Sequence, residues 1–493
     1  MKAKKAKAPG RAGSETPIGI TTQYLRDFVE GGALPDGLLA ESKRLAEQYQ
    51  FFHWHLAFPE VFTQGGFDVG LGNPPWERIK LSEDEWFATS RPEIADAADA
   101  SIRRDLIAAL ATESPSLHAQ FLEAVRKAEA EGLFIRSSGR FPLCGKGDVN
   151  TYSTFAELTR NAISPTGRFG CVVPSGIATD KTTSQFFGEL VARQSLVSLY
   201  SFDNHDGIFP AVKRSTRFCL LTLTGSARPF TNAIRFVFYA RKLEQILDAA
   251  RRFELTPADI ELLNPNTKTC PVFLSKTDCD LVIAIYRRIP VLVNEKRESN
   301  EWGIIIRRIL DMNKRDVLRL CTVVQPQNPS PEVVPIYEAK LFDQFNHRGA
   351  TYQDRGIRQL SEAELHDPHF RVRSRYWISR NEVSSRLPEF WAKDWLLVWQ
   401  DVTDTNTMSR TVSATVFPFY GTDFTLRVGF STRDDESCAV AFLGSLNSFA
   451  FDYIARQKIG GTHLSDYILK QLPFIAPACY ASPCLWSDSS QVS

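Results

Sequence analysis

Two consecutive prolines behind a short apolar run constrain this 493-residue chain more than any other feature. The stretch reads Phe67-Asp68-Val69-Gly70-Leu71-Gly72-Asn73-Pro74-Pro75-Trp76. Pro74 and Pro75 have fixed φ and supply no backbone N–H. Pro74 also pushes Asn73 out of the helical region, so the chain leaves the strand in an extended, preformed loop. The loop presents an amide side chain, carbonyls with no competing N–H groups, and a large aromatic face. That set accepts hydrogen bonds from an amino group and stacks on the ring carrying it. The plainer alternative is a Pro-Pro turn after a buried strand, with Trp76 in the core.

Length allows two to four domains at roughly 100–200 residues each. Hydrophobic content of 43% and charged content of 23% are ordinary globular values. No run approaches the ~18 apolar residues that span a membrane. Residues 1–13 are basic and lack the apolar stretch of a signal peptide. They read as a flexible tail, solvated or touching phosphates. Nine scattered cysteines, with no C-x-x-C pair, point to a reducing cytoplasm and away from disulfides or zinc. Net charge is +1, so any nucleic-acid role rests on local patches.

Residues 36–50 have helical spacing, with Leu38, Leu39, Leu45 and Ala46 on one face. The aromatic segment 51–62 holds His53 and His55, but no carboxylate or cysteine lies at ligand spacing, and packing is the expected role. A helical region at 82–130 reads as an insertion over the sheet or a lid. Asp148 or Asn150 is placed to cap a helix at 151–162; a pocket role is the alternative. Gly145-Lys146-Gly147 lacks the spacing of a phosphate loop. Strands are expected at 167–174, 196–203 and 216–224, with a helix at 182–193 that turns Phe186, Phe187, Leu190 and Val191 inward. This alternation predicts an α/β domain with a mostly parallel sheet.

The Asn73-Pro74-Pro75-Trp76 segment resembles the catalytic motif of amino-methyltransferases. With its flanks it is similar to the gamma-class adenine-N6 DNA methyltransferases, the large type II restriction–modification and phage-defence methylases. Segments 262–273, 302–312, 335–352, 395–410 and 455–473 resemble further blocks of those enzymes, so the likeness runs over roughly residues 50–478. It implies a partial Rossmann-like class I methyltransferase sheet followed by an α+β target-recognition domain. The implied layout is a basic tail (1–30), a partial catalytic domain (31–235), a connecting region (236–330), a recognition domain (331–480) and a tail (481–493).

The resemblance also implies roles. The Asn73 amide and the Pro74 carbonyl would hold the exocyclic amine of an adenine flipped out of double-stranded DNA, with Pro75 fixing the loop. Trp76 would stack on the base. A methyl group would pass directly from S-adenosylmethionine to N6. Phe209, in the Phe209-Pro210 pair, would close the base from the other side; a core position is the alternative. For DNA contact, Arg371, Arg373 and Arg375 share one face if residues 370–376 form a strand, able to straddle phosphates or read guanine. A solvated edge strand is the alternative. Gly460, Gly461 and Thr462 could bring backbone close to DNA, or simply turn the chain.

One part of the family pattern is missing. The glycine-rich strand–loop and the following acidic residue that hold S-adenosylmethionine are found neither in the 66 residues before Phe67 nor after Trp76. Cofactor-binding residues therefore go unassigned. Val69 and Leu71 are expected on an exposed apolar edge strand. The expectation is a C-terminal part of a larger methylase, truncated or split, that takes an N-terminal half as partner. Two other readings stay open: a DNA-recognition module without catalysis, and a protein glutamine methyltransferase. The long C-terminal region weighs against the second.

Overall fold

The computed structural model describes residues 21–34, 37–98, 100–227, 233–323, 332–353, 356–403, 409–433, 435–459 and 462–482. Most of the basic N-terminal tail, Gly460, Gly461 and nearly all of the C-terminal tail lie outside them. The chain divides into two compact units, Met1–Gly66 and Phe67–Ser493.

In the first unit the Thr21 hydroxyl caps the helix Thr22–Val29 by accepting from the Tyr24 N–H. The expected second helix forms at Leu38–Tyr49, but its apolar face is only partly covered. Leu38 is buried, Leu45 half-buried, and Leu39 and Ala46 exposed. In the aromatic segment Trp54 stacks on Phe58 and His55 on Phe62, so His55 does pack.

The second unit is built on a six-stranded sheet of β1 (Phe67–Gly72), β2 (Ile163–Pro174), β3 (Leu196–Asp203), β4 (Arg217–Thr224), β5 (Ile234–Ala240) and β6 (Phe253–Leu255). The spatial order is β1-β2-β4-β3-β5-β6. β1 pairs parallel with β2, and β3 with β5. β4 runs antiparallel to both β2 and β3, and β6 antiparallel to β5. The sheet is thus mixed and not mostly parallel. The reason lies in residues 204–216, which contain one short 3-10 turn and no helix. A parallel return needs a crossover, usually helical, so β4 folds back beside β3 and wedges between β2 and β3.

One face of this sheet is packed. Phe169, Cys171 and Val173 of β2 alternate inward and meet Phe186, Phe187 and Leu190 from the helix Ser184–Ala192. Burying a side chain of that size stabilises by about 1.5–3 kcal/mol. The helix Thr151–Ala162 covers the β1 end. Gly70 allows this approach: a Cβ there would lie 3.2 Å from both the Phe169 ring and the Thr159 methyl. Among the described residues a small cluster around Phe202, Phe218 and Val237 packs on the other face. At its edge Val69 is 70% and Leu71 88% exposed, so β1 is the apolar edge strand that the sequence anticipates.

The helices Glu83–Phe87, Pro92–Ala95, Ala100–Glu113 and Pro115–Ser137 have a small core of their own around Phe87, Leu110 and Phe121. Three further sheets follow, the smallest an antiparallel pair of Ala350–Gln353 and Gly356–Gln359; the other two have three and four strands. One has the order Ala414–Pro418, Trp395–Gln400, Leu426–Ser431, Ile304–Arg307; the other has Tyr376–Ser379, Val333–Tyr337, Gly421–Thr422. The helices Glu436–Leu446 and Phe449–Lys458 return to the first core, where Phe442, Leu446, Phe451 and Ile454 are buried beside residues of the sheet. Among the described residues no single helix is long and apolar enough to cross a membrane.

Candidate active site

The loop that leaves β1 is tied down on nearly every side. The Trp76 indole N–H donates to the Val172 carbonyl at 3.2 Å. The Thr151 hydroxyl donates to the Pro75 carbonyl at 2.6 Å and accepts from the Glu77 N–H at 2.9 Å. The Thr151 N–H in turn donates to the Glu77 carbonyl at 2.9 Å, and Ile79 N–H to Val149. The first residue of the helix Thr151–Ala162 is therefore a clamp on the Pro-Pro loop. Asn150 does sit at the N-cap position, yet its side chain makes no capping bond. The expected capping by Asn150 is not made, and the helix start is held instead through Thr151.

What the clamp leaves available is specific. Among the described residues neither the Asn73 side chain nor the Pro74 carbonyl takes part in a hydrogen bond. Asn73 is exposed and Pro74 half-buried. Pro75 is different: its carbonyl is already used. The free pair are two acceptors on adjacent residues of a rigid loop, which suits an N–H₂ group.

Trp76 is half-buried and stacks on Phe218, with ring centroids 6.3 Å apart at 30°. Phe218 stacks in turn on Phe202 at 5.3 Å and 11°. Phe209 meets the same Phe218 edge-on at 4.9 Å. The fold thus brings Phe209 and Trp76, far apart in sequence, onto one aromatic centre. Sequence reasoning did not single out the residue that holds Phe209 there. Asn204 is fully buried. Its amide N–H groups donate to the carbonyls of Phe209, Val212 and Lys213, and its oxygen accepts from the Phe209 N–H. An Asn directly after a strand carries no signal for this beyond its liking for turns.

The thiols beneath the site are inert. Burial pushes Cys171 up to about 12 and raises Cys219 as well, so neither supplies a thiolate at neutral pH. Burial, and secondly the nearby Asp180 charge, raises Tyr152 above the usual range. Asp180 is itself raised by burial.

A cradle for S-adenosylmethionine is not assembled by the described residues. β1 runs into Pro74-Pro75, β2 into Ser175-Gly176-Ile177, β3 into the Asn204 turn, and β5 into Arg241. None of these strand ends is a glycine-rich turn opening onto a helix with an acidic residue in reach.

The proposed DNA-contact residues fall in three places. Residues 371–374 are extended but not a strand; the regular strand begins at Tyr376. Their pairing is one-sided, with Arg373 N–H on the Thr351 hydroxyl and Tyr352 N–H on the Arg373 carbonyl. Alternation still holds: Val372 and Ser374 are buried, while Arg371, Arg373 and Arg375 are exposed and unpaired with any carboxylate among the described residues. Thr462 is exposed, and its carbonyl accepts from the Thr403 N–H. Gly460 and Gly461 lie outside the described residues.

Residues 14–107, which include the Pro-Pro loop, match the family described as Eco57I restriction-modification methylase. No curated protein matches the sequence. Solved structures that resemble the chain include the type IIG restriction endonuclease BpuSI, at 11% identity over 72% of this chain and 45% of that one, with a TM-score of 0.28. Another is a type I restriction–modification methyltransferase subunit from Streptococcus thermophilus, at 14% identity over 29% and 35%, with a TM-score of 0.23. A third is the type ISP restriction–modification enzyme LlaBIII bound to DNA, at 10% identity over 81% and 28%, with a TM-score of 0.33. At scores this low the likenesses carry no argument about fold or function. The chain spans less than half the length of each of these three.

Proposed function

We propose that this chain supplies the base-binding half of an adenine-N6 DNA methyltransferase belonging to a restriction–modification or related phage-defence system. One observation carries the reading. In a loop pinned through the Trp76 indole, the Pro75 carbonyl and Glu77, the Asn73 amide and the Pro74 carbonyl take part in no hydrogen bond among the described residues. Two acceptors on the amine of a flipped adenine draw its nitrogen toward tetrahedral geometry and leave the lone pair pointing away from the loop. Such fixed dipoles act electrostatically in a site that excludes water. Flipping costs a few kcal/mol, and stacking on an aromatic returns about 1–3 kcal/mol per base. Trp76 and Phe209 are the rings placed for that. The match of residues 14–107 to restriction–modification methylases supports the same class.

The methyl donor on this reading is S-adenosylmethionine, and its site belongs to a partner. The exposed apolar edge of β1 is where that partner would add strands, since unpaired backbone and two bare aliphatic side chains invite pairing. A second reading, a DNA-recognition module without catalysis, is favoured by the lack of a cofactor cradle among the described residues.

Joining the purified chain with the polypeptide encoded immediately upstream, and analysing the nucleosides of treated DNA, separates the readings. N6-methyladenine that disappears with Asn73→Ala supports the transferase. DNA binding with no methylated base supports the recognition module.

A further inference from the structure

A cavity of about 480 Å³ lies a few residues beyond the carboxyl end of β2, lined there by Asp180 and on its other sides by residues of the C-terminal half. β1 and β2 are parallel, so this cavity and Asn73 belong to the same edge of the sheet. That edge, outside the carboxyl ends of parallel strands, is where open α/β sheets bind ligands. No residue of the Pro-Pro loop lines the cavity.

The wall carries an unanswered acceptor. Asp401 is 2% exposed. Its Oδ2 receives Arg427 at 3.1 Å and lies 3.1 Å from His463 Nδ1. Its Oδ1 is buried and has no hydrogen-bond partner among the described residues. A buried oxygen of this kind destabilises the fold until an N–H reaches it.

The wall also carries unused donors. Arg427 is spent between Asp401 and Asp466. Arg308 is not: its one ion-pair contact among the described residues is a long 3.9 Å to Asp401, and its side chain is 39% exposed. Lys458 Nζ donates to the Leu263 carbonyl and to Asn264 Oδ1, both at 2.5 Å, and burial holds its ammonium well below the usual lysine range, so among the described residues Arg308 is the cation of the wall that is free to meet an anion. The Tyr467 ring completes the lining. Asp180, the other carboxyl there, is held above its ordinary value by burial, so it opposes an anion less than a free carboxylate would.

A ligand that answers both ends has an anionic group and a flat ring bearing N–H. We propose that this cavity binds a nucleoside monophosphate unit, with its phosphate on Arg308 and a base amine on Asp401 Oδ1. Guanidinium suits phosphate, and carboxylates accept from the cytosine amine. The size fits, since ligand sites run from about 300 to 1,000 Å³. The site goes beyond the transferase reading; only a DNA origin of the nucleotide rests on that reading.

Calorimetric titration of the full chain with dCMP tests this, with deoxycytidine and inorganic phosphate as separate probes. The expected result is dCMP binding about tenfold or more tighter than either fragment, a difference of ~1.4 kcal/mol. Arg308→Gln should weaken dCMP by about fivefold or more and leave deoxycytidine unchanged. Asp401→Asn should weaken dCMP and deoxycytidine together. Because Arg308 is part-exposed, its variant keeps the fold and decides the matter even if Asp401→Asn does not fold. Binding of dCMP no tighter than of phosphate, or unchanged by Arg308→Gln, overturns the site. In a positive case, competition by a duplex oligonucleotide makes the nucleotide part of DNA, and simultaneous binding makes it a free nucleotide. A failed site leaves Asn73 and methyl transfer untouched, so the two readings fail separately.

Discussion

The Thr151 hydroxyl donates to the Pro75 carbonyl at 2.6 Å, fastening the first turn of a helix to a loop 76 residues earlier. The same oxygen accepts from the Glu77 N–H. Thr151→Val keeps the shape and removes both bonds. It should cost about 1 kcal/mol and speed amide exchange at Glu77, whereas Thr151→Ser should restore protection. Exchange measured by NMR or mass spectrometry reads this directly; unchanged protection in Thr151→Val would remove the clamp from the account.

Asn204 makes the corresponding bonds for the Phe209 loop. Asn204→Ala removes a buried amide and strands the Val212 carbonyl and the Phe209 N–H, whereas the Phe209 and Lys213 carbonyls keep the Val212 and Thr216 N–H groups. The expected loss is roughly 2–3 kcal/mol in urea unfolding. Faster exchange of the Phe209 amide should accompany it, while the Glu77 amide stays protected. A loss spread evenly over both loops would mean that Asn204 supports the whole sheet and not this loop.

Arg371, Arg373 and Arg375 project on one exposed side without acidic partners among the described residues. If all three face phosphates, replacing them with Ala should lower the slope of log affinity against log salt by about 2–3, at ~0.9 per contact. Fluorescence anisotropy on a duplex over a range of salt measures this. A change in base preference with the slope unmoved would instead make them base readers.

Burial pushes Asp423 up to about 6. A carboxyl whose folded value is raised favours the folded state in its protonated form. Its contribution is therefore full below about pH 4 and is lost as pH rises through 6. A two-unit shift corresponds to roughly 2–3 kcal/mol. Asp423→Asn, which retains the acceptor oxygen for Thr425, should flatten the fall in denaturation midpoint between pH 4 and 7. An equally steep fall in the variant would place the titrating group elsewhere.

Much of the sheet was legible because its strands and helices obey their own periods. Phe186, Phe187, Leu190 and Val191 are buried where helical spacing puts them, and β3 occupies the expected residues. The bare edge at Val69 and Leu71 was legible for the opposite reason, as apolar side chains with no neighbour in the sequence to cover them. Topology was not legible in the same way. Nothing in the composition of β4 says that it will wedge between β2 and β3; the missing helix in residues 204–216 does. The Arg371 stretch alternates like a strand, yet it pairs on one side only, through Thr351 and Tyr352. Asn204, Thr151 and the Asp401 cavity depend on partners tens to hundreds of residues away, and local patterns do not carry such pairings.

On the proposed reading the described residues of this chain hold the amine and assemble no donor site. The most direct test is transfer of labelled methyl from S-adenosylmethionine to mixed-sequence DNA by the purified chain alone, with DNA binding followed in the same samples. The result expected on that reading is DNA binding without incorporation. Incorporation by the isolated chain would contradict it, because the cofactor would then be held by residues assigned here no such role.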